Sequence, residues 1–483
     1  MRVLLIFPPP SSKYAHDYKN TIGVGIPLGI AYLGAALEEA GFEADVFDFQ
    51  LEGNTPARLA ETLKKGYGLV GVSCFTLSAP SAYRIIEMVR EAAPGVPVVI
   101  GGPHPTALGP AVLDECGADA AALGEGERTI VQLAHAASAG GSFANVKGIA
   151  YRQDGATIAA EPQPLVEDLD VLPPPALHLF DVSRYAQPGG ASRYFPSINM
   201  FTSRGCPYNC IFCFKKLWGR ECRFRSVEGI MGEIATLRDR YGAGEIAFFD
   251  DTFTSDRERV AALCERMLAE KKRLPWRCNS RVDCVDGELL SLMKRAGCYS
   301  IGYGIESGNA EVLRRCGKGI TLEQVRKAIA ETSRAGMESR GYFIFNLPGD
   351  TRTTMEETTR FALSLPLTVA NFTIAQPYVG TRLREMVGGG TEFSIDRGKW
   401  DDWAAYSDKE VIYTQGDVGA EELKKINARA YMRFYLRPGY VMRVLKRINS
   451  AEQVKSYAFA AYWVVKTNLE ATFGGGRSGA PEI

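Results

Sequence analysis

The sequence predicts an α/β protein: a doubly wound parallel sheet, then a partial (β/α) barrel, then a mainly helical C-terminal region. Three observations carry this. Short apolar runs alternate with helical stretches through residues 1–140, the rhythm breaks, and it resumes from Pro196. Strands that alternate with helices build parallel sheets covered by helices. With 483 residues, 46% of them hydrophobic, the chain is also too long for one ordinary core.

The first apolar runs are Val3–Phe7, Ala44–Phe47, Leu69–Cys74, Val96–Ile100 and Ala118–Leu123. Ile30, Leu33 and Leu37 share one helix face that stops at Gly41, and Ile85, Ile86 and Val89 share another that stops at Pro94-Gly95. Neither Gly nor Pro continues a helix well. Residues 1–140 therefore fit a Rossmann-like or flavodoxin-like domain. Residues 141–195 read as a linker, with a hairpin turn at Asp154-Gly155 and a stiff Pro173-Pro174-Pro175 spacer. In residues 196–385 the strand candidates are Ser197–Thr202, Glu245–Phe249, Arg277–Val282, Tyr299–Ile305, Gly341–Phe345 and Thr373–Gln376. Capping boxes are expected at Ser255/Glu258, Thr321/Gln324 and Thr353/Glu356. In such a barrel the active residues lie at the carboxyl ends of the strands. Residues 386–473 read as mainly helical, and 474–483 as a flexible Gly/Ser-rich tail.

Composition excludes several classes. Lys+Arg and Asp+Glu are both 56, so no nucleic-acid or anionic-membrane footprint is expected. The apolar run in MRVLLIFPPP is too short for a signal peptide, and no run is long enough to span a bilayer. The 11 cysteines, an odd number scattered through a large chain, suit metal ligation in a reducing cytoplasm better than a disulfide framework.

Three of them cluster in Ser203-Arg-Gly-Cys206-Pro-Tyr-Asn-Cys210-Ile-Phe-Cys213, directly after a predicted strand. Thiolates are soft donors that bind iron well. Three on one loop can take three irons of a cubane and leave the fourth open to a ligand. A structural zinc would need a fourth Cys or His nearby, and Cys222 is the only close candidate. Cysteine-x3-cysteine-x2-cysteine with Arg204-Gly205 before it resembles the radical S-adenosylmethionine (SAM) superfamily. The resemblance implies a 4Fe-4S cluster on Cys206, Cys210 and Cys213 that cleaves SAM to a 5′-deoxyadenosyl radical, with an external electron donor such as flavodoxin or ferredoxin. It also implies SAM contacts at the ends of the later strands: Asp250 and Asp251, Arg281, Glu306 and Ser307, and Asn346 in the Asn346–Asp350 turn. The usual Gly-Gly-Glu is replaced at Asp250-Asp251. Read as residues alone, the acidic, Ser and Asn positions could also be helix caps or turns, and Arg281 a solvated surface arginine.

Residues 1–140 resemble the cobalamin-binding domain found on many radical SAM enzymes. The matching pieces are Pro27-Leu28-Gly29, Val72–Thr76, Gly101–Thr106 and Gly124–Glu127. The resemblance implies cobalamin held by Ser73, Thr76, Gly101, Gly102, His104, Gly124, Glu125 and Gly126. The Asp-x-His-x-x-Gly motif that supplies a histidine to cobalt is absent. Around His16 stand Tyr14 and Lys19, and around His104 stand Gly102 and Ala107. Cobalamin without a histidine lower ligand is therefore expected, with His104 a turn histidine bonded to backbone.

The family resemblance implies a cobalamin-dependent methylase acting on an unactivated carbon of an unknown substrate. The alternatives are cobalamin-dependent radical oxidation, cyclisation or rearrangement, and a noncatalytic cobalamin or redox sensor. Tyr431, Phe434 and Tyr435 interleave with Arg429, Arg433 and Arg437, which reads as a helix with aromatics inward and arginines outward rather than a nucleic-acid surface. Residues 386–470, including Trp400, Trp403, Tyr406 and the apolar Tyr457–Val465, are expected to cover the barrel mouth and set substrate choice. A large or lipid-like substrate is among the candidates.

Overall fold

The computed structural model describes residues 1–10, 25–52, 56–185, 192–387, 413–416 and 418–445, side chains excepted at 443–445. The first sheet has seven strands: β1 (Arg2–Phe7), β2 (Glu43–Asp48), β3 (Leu69–Ser73), β4 (Val98–Gly101), β5 (Ala120–Ala122), β6 (Ile149–Gln153) and β7 (Ala156–Ala159), in the order β2-β1-β3-β4-β5-β6-β7. β1 to β5 pair in parallel, and β6 and β7 close the edge antiparallel. Asp154 and Gly155 turn the β6–β7 hairpin with φ of 51° and 80°, the left-handed pair such a two-residue turn requires. The hairpin therefore extends the first sheet.

Side chains alternate across β1. Val3 and Leu5 enter one core, Leu4 and Ile6 another. The second core belongs to the first sheet and to helices such as Ala79–Ala92. The first core does not stop there. It continues through the helix Leu28–Glu39 and the 177–185 segment into Ile198, Met200, Ile230 and Ile246 of the second sheet.

That second sheet is six-stranded and parallel throughout: β8 (Ser197–Met200), β11 (Glu245–Phe248), β12 (Trp276–Ser280), β13 (Cys298–Glu306), β14 (Glu338–Phe345) and β15 (Val369–Ile374), in that spatial order. A two-residue antiparallel ribbon, β9 (Ser203–Arg204) with β10 (Arg223–Phe224), follows β8. The expected strands are all present, within a few residues at their ends. Two of the three expected caps shift. Asp256, not Ser255, caps Arg257–Leu268, and Thr351 pairs with Thr354 to cap Arg352–Ser364. Thr321 and Gln324 form the expected box.

The helix Ala420–Tyr435 lies along β15. Phe434 is fully buried, Arg433 pairs with Glu356, and Arg437 stacks on Phe434 at 4.1 Å. Its aromatics thus face inward, as the interleaved pattern predicts. Trp400, Trp403, Tyr406 and Tyr457–Val465 lie outside the described residues. Among the described residues, no helix is long and apolar enough to cross a membrane.

Candidate cofactor sites

The cysteine loop leaves the carboxyl end of β8 and returns at β10. Gly205 must be glycine. Its φ is 93°, and a Cβ there would lie 2.1 Å from the Glu221 carbonyl. Ile211 anchors the middle of the loop. Its N–H donates to the Cys316 carbonyl (3.0 Å), its carbonyl accepts from Leu383 N–H (2.8 Å), and its side chain fills a small core with Val312 and Leu347. Cys206, Cys210, Cys213 and Cys222 are all free thiols. Among the described residues no three His, Cys, Asp or Glu side chains gather round a single metal ion. A cubane takes its three thiolates on three different irons, so a wider spacing is what this donor set needs. Three free soft donors on one anchored loop fit it.

The neighbouring strand ends divide the expected SAM residues. Asp250 is buried behind the loop, where Oδ1 accepts from Thr202 N–H (3.0 Å), Thr202 Oγ1 (2.8 Å) and the Ser203 hydroxyl. It braces β8, whereas Asp251 faces the region of Cys213 and Lys215. Ser307 is also inward, its hydroxyl engaged by Thr358 (3.1 Å) and Asn309 N–H (3.1 Å), so it ties the end of β13 to the helix Arg352–Ser364 that follows β14.

Arg281, Glu306 and Asn346 behave differently. Arg281 grips Asp283 through Nε (2.9 Å) and Nη2 (2.8 Å), donates to the Lys318 carbonyl (2.8 Å), and stacks on Tyr208 of the cysteine loop at 3.5 Å. Its Nη1 is buried with no partner. Glu306 accepts from Lys318 Nζ at 2.8 Å, both side chains being under a tenth exposed. Burial opposes the Lys318 charge, but Glu306 together with Cys210 outweighs it and holds the ammonium above its usual range. Glu306 and Asn346 have φ of 68° and 65°. A left-handed conformation at a residue with a side chain costs energy and concentrates at binding and catalytic sites. Here it falls at the ends of two adjacent strands. Buried Asp350 accepts from Leu347 N–H (2.9 Å) and Thr354 Oγ1 (2.7 Å), and burial raises its pKa to about 6. An orphaned guanidinium nitrogen linked through Lys318 to the strained end of the adjacent strand fits a carboxylate-bearing cofactor such as SAM.

Sequence reasoning expected residues 386–470 over the barrel mouth but did not single out the two residues of that range that meet this turn. Asn346 Nδ2 donates to the Tyr413 carbonyl (2.8 Å), and Gln415 binds both the Leu347 carbonyl and Gly349 N–H (3.2 Å). The C-terminal region thus reaches the end of β14.

At the first sheet, strand order reverses between β1 and β3, where doubly wound folds bind ligands beyond the carboxyl edge. Ser73, Gly101 and Gly124 lie along this edge. Gly102, with φ of 112°, brings its backbone against the Cys74 carbonyl, where a Cβ would stand at 2.9 Å. Phe75, 46% exposed, projects there beside Phe7. Thr106 receives Gly124 N–H (2.9 Å), joining two of the glycine loops, and Gly126 packs on Leu33. A tight glycine turn and an exposed ring at this edge fit a large planar cofactor. Two expectations move. His104 is fully buried, its ring nitrogens meeting Thr76 Oγ1 (3.2 Å) and Tyr83 OH (3.0 Å), so neighbouring side chains engage it and Thr76 is occupied as well. Burial lowers its pKa to about 4, so the ring is neutral. Glu125 turns away from the edge, towards Arg204 and Arg223.

The matched family models coincide with these two regions. Residues 20–134 match the B12 binding domain and residues 200–362 the Radical SAM superfamily. "Uncharacterized methyltransferase PH0819" of Pyrococcus horikoshii is 33% identical over 448 residues, covering 92% of this chain and 94% of that protein. The chain belongs to the cobalamin-binding radical SAM family. Its cofactors are accordingly a 4Fe-4S cluster, SAM and cobalamin, and its cluster requires an external reductant. The anaerobic magnesium-protoporphyrin IX monomethyl ester cyclase of Rubrivivax gelatinosus is 29% identical and covers 81% of this chain and 71% of its own length. The cobalamin-dependent SAM radical enzyme OxsB, solved with aqua-cobalamin and SAM bound, shares the fold with a TM-score of 0.74, at 18% identity over 97% of this chain and 72% of that one.

Proposed function

We propose that this protein transfers a methyl group to an unactivated carbon of a substrate bound between the carboxyl edges of its two sheets. One observation carries the reading. Gly380, after β15, lies against Phe214 of the cysteine loop and Ala107 behind β4, with a Cβ on Gly380 falling 2.7 Å and 3.3 Å from them. Loops from both sheets therefore converge on one place. When bound, the three cofactors supply one-electron chemistry and a transferable methyl group. The chain's own part is to hold and orient them. Cys206, Cys210 and Cys213 would hold the cluster. Asp251, Arg281, Glu306 and Asn346 would hold SAM, with Arg281 Nη1 meeting its carboxylate. Ser73, Gly101, Gly102, Gly124 and Gly126 would line the cobalamin edge. Tyr413 and Gln415 would help exclude water over β14.

The relative PH0819 is named as a methyltransferase, which supports the methyl-transfer reading. The cyclase relative favours a second reading, radical chemistry without methyl transfer. Anaerobically reconstituted protein should carry about four irons and four sulfides per chain. Given SAM, cobalamin and a reductant, it should release 5′-deoxyadenosine together with S-adenosylhomocysteine. Deoxyadenosine alone would select the second reading, and neither product would leave a sensor. Cys206→Ala, Cys210→Ala and Cys213→Ala should each abolish SAM cleavage, while Cys222→Ala keeps the cluster. Full cleavage by any of the first three rejects the assigned ligands.

A further inference from the structure

Four charged side chains lie buried where the first sheet meets the cysteine loop, and none is used in the chemistry above. Glu125 and Glu127 follow β5, Arg204 enters the cysteine loop and Arg223 leaves it. Their side chains are between 3% and 8% exposed. Arg204 reaches both carboxylates, Glu125 Oε1 at 3.0 Å and Glu127 Oε1 at 2.6 Å. Arg223 clasps Glu125 through Nη2 (2.9 Å) and Nη1 (3.1 Å), and the Val166 N–H completes the same carboxylate at 2.7 Å. Tyr32 and Trp218 flank the Arg204 guanidinium at 5.5 Å and 5.9 Å.

The placement is informative. Arg204 and Arg223 are paired across the β9–β10 ribbon, so one carboxylate from the first sheet holds both ends of the loop that carries the three cysteines. Buried ion pairs contribute little net stability, because desolvation offsets their attraction, but they tolerate few geometries. Guanidinium–carboxylate forks are the most directional of these pairs. An apolar contact would have held the two regions together as well. A fork also fixes the angle between them.

We propose that Glu125, Arg204 and Arg223 form a positioning joint that sets the separation and orientation of the cluster relative to cobalamin. This rests on the cofactor assignment above. The joint would act through the loop ends, which its two arginines hold.

The test is magnetic. In reduced holoprotein with cobalt as Co(II), a paramagnetic cluster nearby speeds Co(II) spin relaxation, steeply with proximity. Wild-type protein should show this enhancement. Glu125→Gln and Arg204→Lys should keep their iron and cobalamin content, yet the enhancement should fall roughly two-fold or more and spread, as an ångström-scale loosening would cause. Glu233→Gln, which breaks the adjacent buried pair with Arg225 but not the link to the first sheet, should leave it unchanged. Loaded Glu125→Gln and Arg204→Lys with wild-type relaxation overturn the joint, as does an equal loss in Glu233→Gln. If Glu125→Gln fails to fold, Arg204→Lys, which keeps the charge and loses the fork, decides alone. Wild-type protein that takes up no cluster or no cobalamin sinks the underlying assignment, and the joint with it.

Discussion

His104 shows how a residue leaves the chemistry and enters the stability of the fold. Its ring is enclosed between Thr76 and Tyr83, and burial holds its pKa near 4, against an ordinary value of 6.5. The unfolded chain therefore takes up a proton first. The stabilisation is complete above about pH 6.5 and is lost as the pH falls through 4, with a ceiling of roughly 3 kcal/mol. Replacement by Gln should flatten the wild-type loss of stability over that window, measured by urea unfolding at successive pH values. Equal slopes would refute the assignment. The same enclosure keeps the ring from cobalt. The Co(II) resonance of bound cobalamin should lack histidine nitrogen splitting and be the same in His104→Ala. Clear splitting in the wild type would overturn this.

At the scale of elements, β15 shows how a sheet edge is protected. An edge strand presents unpaired N–H and C=O groups that invite association. Here Tyr431 OH receives Phe372 N–H (3.1 Å), and Tyr435 OH binds Ala370 N–H (3.3 Å) and C=O (3.0 Å). Asn427 Nδ2 donates to the Phe372 carbonyl (2.9 Å). Tyr431→Phe and Tyr435→Phe should each cost about 1 kcal/mol, the net worth of a lost hydrogen bond. Phe434→Ala, which empties a fully buried position, should cost about 3–5 kcal/mol. Thermal unfolding separates the two classes, and tyrosine variants as damaging as the cavity would show that packing rather than edge pairing dominates. The strands were legible because apolar runs and glycine stops obey local rules. The caps were less so. Ser255 stands beside Asp256, and Thr353 two positions from Thr351, so several residues competed for each role.

For the whole molecule, the C-terminal region is structural as well as functional. Truncation after Val387 would remove the helix that covers Ala370 and Phe372 along with Tyr413 and Gln415 over β14. The truncated chain should therefore associate through the bared β15 edge. A monomeric truncated protein by sedimentation, loaded with cluster, would restore the region to the role of a detachable lid. Sequence reading found the cysteine loop and the sheet edges because their residues are contiguous. It missed the joint because Glu125 and Arg204 stand 79 positions apart, and pairing over that span is written in the fold alone. The core running from β1 through Leu28–Glu39 into β8 and β11 has a calorimetric consequence. Neither sheet can melt without exposing apolar surface on the other. Heating should therefore give one unfolding transition, and the two family regions, separable as sequence, should lose their structure together, with coincident midpoints for probes placed in each.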